Sequence, residues 1–185
     1  NPPKAIWQTE VGVRHTESMY ETRVNVELET PLAGDEGAEY IVKHYIDVLE
    51  SGIEKWFYYN MFWSKRPDRQ EYNGLFEWDG SPRPSAVAYA VLAHMLHGQK
   101  FEEKVAGYGD QAVVAKFTGD RRKVYVVWST KTSEKIAISL AGKDRIVAVY
   151  DIMGRRVEHP SASVPPELHV GLSPQYVVLE SRGDT

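Results

Sequence analysis

Apolar runs and helical periods follow one another in the N-terminal half of the chain. The run 6–13 is short and mostly apolar, which is typical of a strand buried on both faces. Apolar residues then recur at helical spacing over 36–51, where Asp35 and Glu36 suit the positive end of a helix and Gly52 suits its stop. The pattern predicts a strand followed, after a long polar segment, by an amphipathic helix.

A second strand and a second helix are predicted next. The run 53–63 is rich in aromatic residues, and its length favours a buried strand over a helix. Turn signals fill 64–84, and apolar residues at helical spacing then predict a helix over 85–97 with Gly98 as its stop. The order strand, helix, strand, helix indicates two parallel strands joined by a right-handed crossover.

Beyond residue 99 the pattern changes to short strands separated by turns. Turn signals such as Gly119-Asp120 and Met153-Gly154 occur at the spacing expected of an antiparallel β-sandwich. The predicted strands are 101–107, 112–118, 123–129, 135–140, 145–150 and 175–180. The sequence therefore predicts an α/β domain over 1–99 and an all-β domain over 100–185.

The composition is that of ordinary folded protein, with 42% hydrophobic and 26% charged residues. The net charge of −4 gives no electrostatic footprint for nucleic acid or an anionic membrane, so neither is expected as a partner. The sequence has no cysteine, which excludes disulfides, thiolate metal sites and a cysteine nucleophile. No run has the length of a transmembrane span, and Asn1–Lys4 do not have the features of a signal peptide, which leaves the localisation of a soluble protein open.

One carboxylate stands at the end of the first predicted strand. Glu10 follows an apolar run and comes shortly before Gly12 and a long polar loop. In a (β/α)8 barrel the reactive side chains come from the carboxyl ends of the strands, so a glutamate in this position indicates catalysis. The alternative is a solvated carboxylate that closes a strand, which is the usual environment of Glu.

Several segments, taken in order, resemble one group of enzymes. They are Ile6-Trp7-Gln8-Thr9-Glu10-Val11-Gly12, the aromatic run Trp56–Trp63, and Asn73-Gly74-Leu75-Phe76-Glu77-Trp78-Asp79-Gly80-Ser81-Pro82-Arg83-Pro84. Together they resemble the seventh and eighth βα units of clan A retaining glycoside hydrolases. The segments Val149–Gly154 and Gly171–Leu179 are similar to the β-sandwich that follows the barrel in several of those families. The resemblance implies a partial (β/α)8 barrel and an antiparallel β-sandwich, together the C-terminal part of a glycoside hydrolase.

The resemblance also implies roles for residues. Glu10 matches the nucleophile at the end of the seventh strand, and Trp63 matches the tryptophan that floors the neighbouring sugar subsite. The acid/base partner is a Glu that follows Asn at the end of the fourth strand, and it has no match, because every Asn here is followed by Pro, Val, Met or Gly. Retaining hydrolysis needs two carboxyl groups about 5 to 5.5 Å apart. The chain alone is therefore expected to be inactive, and the missing N-terminal part of the barrel, in the same protein or a partner chain, is expected to supply the acid.

Further residues are candidates for contact with a carbohydrate substrate. Tyr59 shares the strand parity of Trp63, so the two are expected on the same side of the strand. His15 comes soon after Glu10 in the loop, where either a hydrogen bond to a sugar hydroxyl or plain exposure to water fits. Trp78 on the next loop fits a sugar-binding platform and a core aromatic about equally well.

Two other pairs of polar residues are candidates for chemistry. Glu77 and Asp79 are the in-chain candidates for a second catalytic acid, although turn chemistry alone explains Asp79. His94 and His97 are spaced for a metal on one helix, but no third ligand is near them in sequence, and they are expected to be surface or packing residues. No cofactor or metal is expected to be required.

Two other functions remain open at this point. A carbohydrate-binding or structural module would act through the β-sandwich and would present exposed, coplanar aromatic rings on one face. Tyr125 and Trp128 have opposite strand parity and do not form an obvious platform of this kind. A catalytically dead barrel homologue that acts through protein contacts is the second alternative, because the fourth strand is not in this sequence.

Overall fold

A computed structural model gives the fold of the chain and describes most of it. The described residues are 4–11, 34–59, 61, 74–77, 79–120, 122–131, 136–139, 144–158 and 167–180. The chain divides into two compact units, Asn1–Ala90 and Val91–Thr185. The predicted domain boundary between residues 99 and 100 remains a prediction.

The first unit contains two parallel strands and the helix between them. Strand β1 (Trp7–Val11) is followed by helix α1 (Gly34–Glu50) and strand β2 (Lys55–Tyr58). β1 and β2 pair in parallel, with Trp7 opposite Lys55. The predicted parallel pair is therefore confirmed.

Strand β2 differs from its prediction in length and in burial. It ends at Tyr58, and the predicted continuation to residue 63 is not strand at Tyr59 or Met61. Trp56 is buried, whereas its neighbour Phe57 is exposed. The predicted burial therefore holds for only one face of β2, where Trp56 packs against the two described helices. The prediction that the first strand is buried on both faces was wrong, because Trp7 of β1 is exposed.

Local sequence signals account for the limits of α1. Asp35 and Glu36 lie in its first turn, where negative charge stabilises the free N–H groups. At the other end Gly52 has a φ of +77°, which favours glycine, and its N–H donates to the carbonyl of Leu49 at 3.0 Å. Ile41 and Ile46 on the apolar face are fully buried.

Helix α2 (Pro84–Leu96) lies within a residue of its prediction at each end. Pro84 occupies the first helical position, where a missing N–H costs nothing. Gly98 follows the helix with a φ of +71°. Leu92 and Met95 are buried, as the helical spacing of apolar residues predicts. No helix of the described residues is long and apolar enough to cross a membrane.

The second unit consists of antiparallel strands. They are β3 (Lys100–Lys104), β4 (Ala112–Thr118), β5 (Lys123–Ser129), β6 (Ile136–Ser139), β7 (Arg145–Asp151), β8 (Arg156–Val157), β9 (Glu167–Val170) and β10 (Gln175–Glu180). A six-stranded sheet has the order β3-β4-β5-β10-β7-β8, and β6 pairs with β9. The predicted strands are all present, whereas β8 and β9 were not predicted.

The main core of this unit lies on one face of the six-stranded sheet. It contains side chains of β4, β5, β7 and β10 together with Leu168 and Val170 of β9, so the β6–β9 pair packs over this face. The opposite face is buried as well, because Val124, Val126 and Tyr176 have no exposed surface. Burial on both faces explains why β5 and β10 read as nearly continuous apolar runs.

The turn between β7 and β8 requires a glycine for two separate reasons. The main-chain N–H groups of Met153 and Arg155 both donate hydrogen bonds to Oδ1 of Asp151, each at 2.9 Å. Gly154 within this turn has a φ of +77°, and a Cβ at its position would lie 3.2 Å from Cγ2 of Val91. A side chain here would thus meet both backbone strain and a close neighbour.

We expect Gly154→Ala to lower the free energy of unfolding by more than Gly98→Ala does. Each alanine would cost roughly 1–2 kcal/mol for its left-handed backbone. Gly98 has a φ of +71° with nothing within 4 Å of an added Cβ, so only Gly154→Ala should pay for displacing Val91 as well. Urea unfolding of both variants measures the difference, and equal losses would show that the contact with Val91 is unimportant.

Candidate active site

The carboxyl ends of β1 and β2 lie at the same edge of the first unit. The N–H of Tyr59 donates to the carbonyl of Val11 at 2.6 Å, and at the opposite edge the N–H of Glu54 donates to the carbonyl of Ile6 at 2.9 Å. Glu10 is the penultimate residue of β1. Its backbone therefore belongs to the edge at which both strands end, and its side chain lies outside what the structure describes.

The strand pairing is irregular where Glu10 occurs. Gln8 lies opposite Trp56 and Val11 lies opposite Tyr58, so Thr9 and Glu10 together face the single residue Phe57. This is the arrangement of a β-bulge, which interrupts the strict alternation of side chains along a strand. Regular alternation would assign position 10 to the same face as Gln8, and the bulge removes that assignment. Bulges are common next to active sites.

One face of the β1–β2 sheet is covered by the helices through aromatic contacts. The ring of Trp56 lies 5.8 Å from Tyr45, 5.8 Å from His44 and 5.6 Å from Tyr89, measured between ring centroids. Nε2 of His44 also lies 3.3 Å from Oε1 of Gln8. The helices thus cover the face of the sheet that carries Trp56 and Gln8.

The other face of the sheet is open and apolar. Trp7, Phe57, Tyr59 and Met61 are exposed by 51%, 45%, 50% and 52%. The ring centroids of Trp7 and Phe57 are 6.1 Å apart, and Nζ of Lys55 lies 4.3 Å from the Trp7 ring. Parallel sheets in proteins are normally covered on both faces. Among the described residues nothing covers this one.

Of the residues proposed to contact substrate, the structure describes only Tyr59. It follows β2 directly and is half exposed at the carboxyl edge, as a substrate contact requires. Trp63, His15 and Trp78 lie outside the described residues. Their roles remain predictions.

The loop that precedes α2 forms a small hairpin closed by a buried ion pair. The N–H of Glu77 donates to the carbonyl of Ser81 at 2.8 Å, and the N–H of Arg83 donates to the carbonyl of Leu75 at 2.9 Å. Nε and a terminal nitrogen of Arg83 donate to the two carboxylate oxygens of Glu77 at 3.0 and 3.3 Å. Both side chains are more than nine-tenths buried, with 3% of Arg83 and 8% of Glu77 exposed.

This geometry changes the interpretation of the two loop carboxylates. Glu77 was a candidate for a second catalytic acid, but both of its oxygens accept hydrogen bonds from Arg83, so its contacts are structural. Oδ1 of Asp79 accepts a hydrogen bond from the N–H of Ser81 at 2.8 Å, which is the turn role that the sequence indicated. No local signal in the sequence indicates the ion pair, because Arg83 lies between two prolines in a segment with the pattern of a simple turn.

The remaining candidates, for a metal site and for an aromatic sugar-binding platform, are not arranged for those roles. His94 and His97 are exposed on and just after α2. The described part of the chain contains no group of three or more His, Cys, Asp or Glu arranged to hold a metal ion. In the second unit every Trp, Tyr and Phe is described, and each is either buried or only partly exposed. Tyr125 and Trp128 are both buried, so the aromatic platform that a carbohydrate-binding module would need is not found there.

Comparison with solved structures relates this fold to known enzymes. The chain matches a family 39 glycoside hydrolase from the gut symbiont Bacteroides cellulosilyticus with a TM-score of 0.64 and 24% identity, over 95% of this chain and 34% of that chain. It matches a family 30 subfamily 8 xylanase from Clostridium acetobutylicum with a TM-score of 0.64 and 13% identity, over 96% of this chain and 43% of that chain. A family 30 endoxylanase from Clostridium papyrosolvens matches with a TM-score of 0.59 and 17% identity, over 96% and 42% of the two chains.

These matches define the class of fold to which the chain is similar. The chain has the fold of a part of glycoside hydrolases from two families, and it spans 34% to 43% of the length of those three solved structures. No family model and no curated protein matches the sequence. The similarity of fold agrees with the resemblance to clan A glycoside hydrolases drawn from the sequence.

The partial burial of His44 has a consequence for the pH dependence of stability. Burial lowers the pKa of His44 below its usual value of 6.5, and the charge of Asp47 acts in the opposite direction. The folded protein therefore takes up this proton less readily than the unfolded chain does. The stability that neutral His44 provides is present above pH 6.5 and is lost as the pH falls through the lower folded pKa.

We expect the free energy of unfolding to fall as the pH is lowered below about 6.5, and we expect His44→Gln to make this fall smaller. His94→Gln is the matched control, because His94 is exposed and has no described contact of this kind. Urea unfolding at several pH values, followed by tryptophan fluorescence, measures both. An unchanged pH dependence in His44→Gln would exclude His44 as its source.

Proposed function

We propose that this chain is the C-terminal part of a retaining glycoside hydrolase. In this assignment β1 and β2 are the last two strands of a (β/α)8 barrel, and residues 100–185 form the β-sandwich that follows it. The observation that carries the proposal is the combination of a fold similar to part of several glycoside hydrolases with Glu10 near the carboxyl end of β1. That end of a barrel strand is where catalytic residues occur.

Glu10 is the nucleophile in this proposal. Its carboxylate attacks the anomeric carbon of the bound sugar, the leaving group departs with a proton from a second carboxyl group, and a covalent glycosyl-enzyme forms. Water then hydrolyses this intermediate with the second group acting as base. The mechanism requires Glu10 to lie on the face opposite Gln8, and the bulge at Thr9 and Glu10 is consistent with this requirement.

The open face of β1 and β2 supports the assignment of the two strands to an incomplete barrel. A barrel strand contributes side chains to a packed interior and pairs with a neighbour on each side. Trp7 and Phe57 expose apolar surface on the face that would turn inward. We infer that the preceding part of the barrel, in the same protein or a partner chain, covers this face and supplies the acid/base Glu. The chain alone is then inactive.

The substrate in this proposal is a carbohydrate bound at the carboxyl edge of the two strands. Tyr59 lies half exposed at that edge, and Trp63, Trp78 and His15 are proposed to contact the sugar with it. Two of the similar structures are described as xylanases, which makes xylan the first polymer to test. The proposed reaction needs no cofactor or metal.

In the complete protein we expect Glu10→Gln to abolish turnover of xylan or of activated aryl glycosides. The amide cannot form the glycosyl ester, so a loss of several orders of magnitude follows. Glu54→Gln is the matched control, because Glu54 is an exposed glutamate just before β2, at the opposite edge of the sheet. Initial rates of sugar or aryl release measure both variants.

Covalent trapping distinguishes a nucleophile from a residue that only supports binding. A slowly hydrolysed 2-fluoro glycoside should label the complete protein, and peptide mass spectrometry should find the label on Glu10. A label on another carboxylate, or full activity of Glu10→Gln, would move the nucleophile elsewhere.

A second prediction concerns the open face in the chain as it stands. The dye 8-anilinonaphthalene-1-sulfonate should fluoresce when it binds this apolar surface, and Phe57→Ser should reduce the signal. Leu172→Ser is the matched control, because Leu172 is an exposed apolar residue of the second unit. In the complete protein neither variant should change dye binding much. Equal effects of the two variants on the isolated chain would contradict the assignment of the open face.

A further inference from the structure

The hairpin 74–83 is held together at its base. Phe76 and Pro82 form an antiparallel bridge, the N–H of Arg83 donates to Leu75, and Leu75 is buried. At the other end of the hairpin Asp79 and Gly80 are exposed. The hairpin therefore has a buried base and a tip in solvent.

The hairpin is attached to the carboxyl edge of β2. The N–H of Phe76 donates to the carbonyl of Met61 at 3.2 Å, and Met61 follows β2 closely in the chain. The carbonyl of Arg83 accepts hydrogen bonds from the N–H groups of Ala86 and Val87, at 2.9 and 3.2 Å, in the first turn of α2. The base of the hairpin thus joins the edge that carries Glu10 and Tyr59 to the start of the second helix.

Arg83 takes part in several of these contacts. Its N–H closes the hairpin, its carbonyl begins α2, and its guanidinium holds both oxygens of Glu77. A buried charge without its partner is strongly unfavourable, so any movement of the hairpin that separates Glu77 from Arg83 is costly. The two-point geometry also fixes the angle between the groups, which a single lysine contact would not do.

We propose that Glu77 and Arg83 are positioning residues for glycoside binding, whose ion pair fixes the 74–83 hairpin so that its tip forms a rigid wall beside the substrate. This inference rests on the proposed function, since the wall borders the carboxyl edge at which Glu10 is placed. The pair acts on the substrate only through the hairpin. Its loss should therefore weaken binding more than it slows the chemical step.

The test uses Glu77→Gln, which keeps the shape of the side chain and removes its charge. Glu102→Gln is the matched control, because Glu102 forms an exposed ion pair with Lys116 at 2.7 Å in the second unit. In this chain, amide hydrogen exchange of residues 76–83 should rise about tenfold or more in Glu77→Gln, as expected for losing about 1.4 kcal/mol of local stability. It should be unchanged in Glu102→Gln. Unchanged hydrogen exchange in Glu77→Gln would show that the ion pair does not fix the hairpin.

In the complete protein, the KM of Glu77→Gln for a xylo-oligosaccharide should rise about tenfold while kcat changes much less. A purely structural role would lower the melting temperature and leave KM unchanged well below it, and this result would overturn the proposal. Arg83→Lys keeps the charge without the two-point geometry and should give the same kinetic pattern if Glu77→Gln folds poorly. No turnover by the wild-type protein would overturn the proposed function, and the positioning role with it, whatever the exchange shows.

Discussion

The parallel pairing of β1 with β2 is the constraint on which the rest of the first unit depends. Because the strands are parallel, both carboxyl ends come to one edge. Glu10 and Tyr59 both belong to that edge, although 48 residues lie between them in the sequence. The same pairing leaves a sheet of two strands whose one face is packed by helices around Trp56 and whose other face exposes Phe57. An open face of this kind is unusual for a parallel sheet, and it is the feature that the proposed completion of the barrel would account for.

Three glutamates of the first unit show how the environment of a carboxylate separates a structural role from a chemical one. Glu77 is buried and held at two points by Arg83, so it serves the hairpin. Glu54 is exposed at the amino edge, away from any proposed substrate. Glu10 alone combines the carboxyl edge with an irregularity in strand pairing. The position of Glu10 in the sequence made it the candidate nucleophile. The contacts of Glu77 with Arg83 argue against a catalytic role for Glu77.

The elements that the sequence predicted well are those with local signals. Helix α1 has acidic residues in its first turn and Gly52 after its last, and α2 begins at Pro84. Strands 112–118, 123–129 and 175–180 are found at the predicted positions, because they are long enough to be recognised alone. Strands β8 and β9 were not predicted, since they are short and form only through pairing with β7 and β6.

The sequence by itself determined the order of the elements, the antiparallel character of the second half and the placement of Glu10 near the end of a strand. Only the tertiary structure decided that His44 meets Gln8, that Arg83 binds Glu77 and that Phe57 is exposed while Trp56 is buried. Propensity, caps and periodicity act between residues within a turn or two of each other. Which face of a strand is covered depends on what packs against it, and that information is spread over distant parts of the chain.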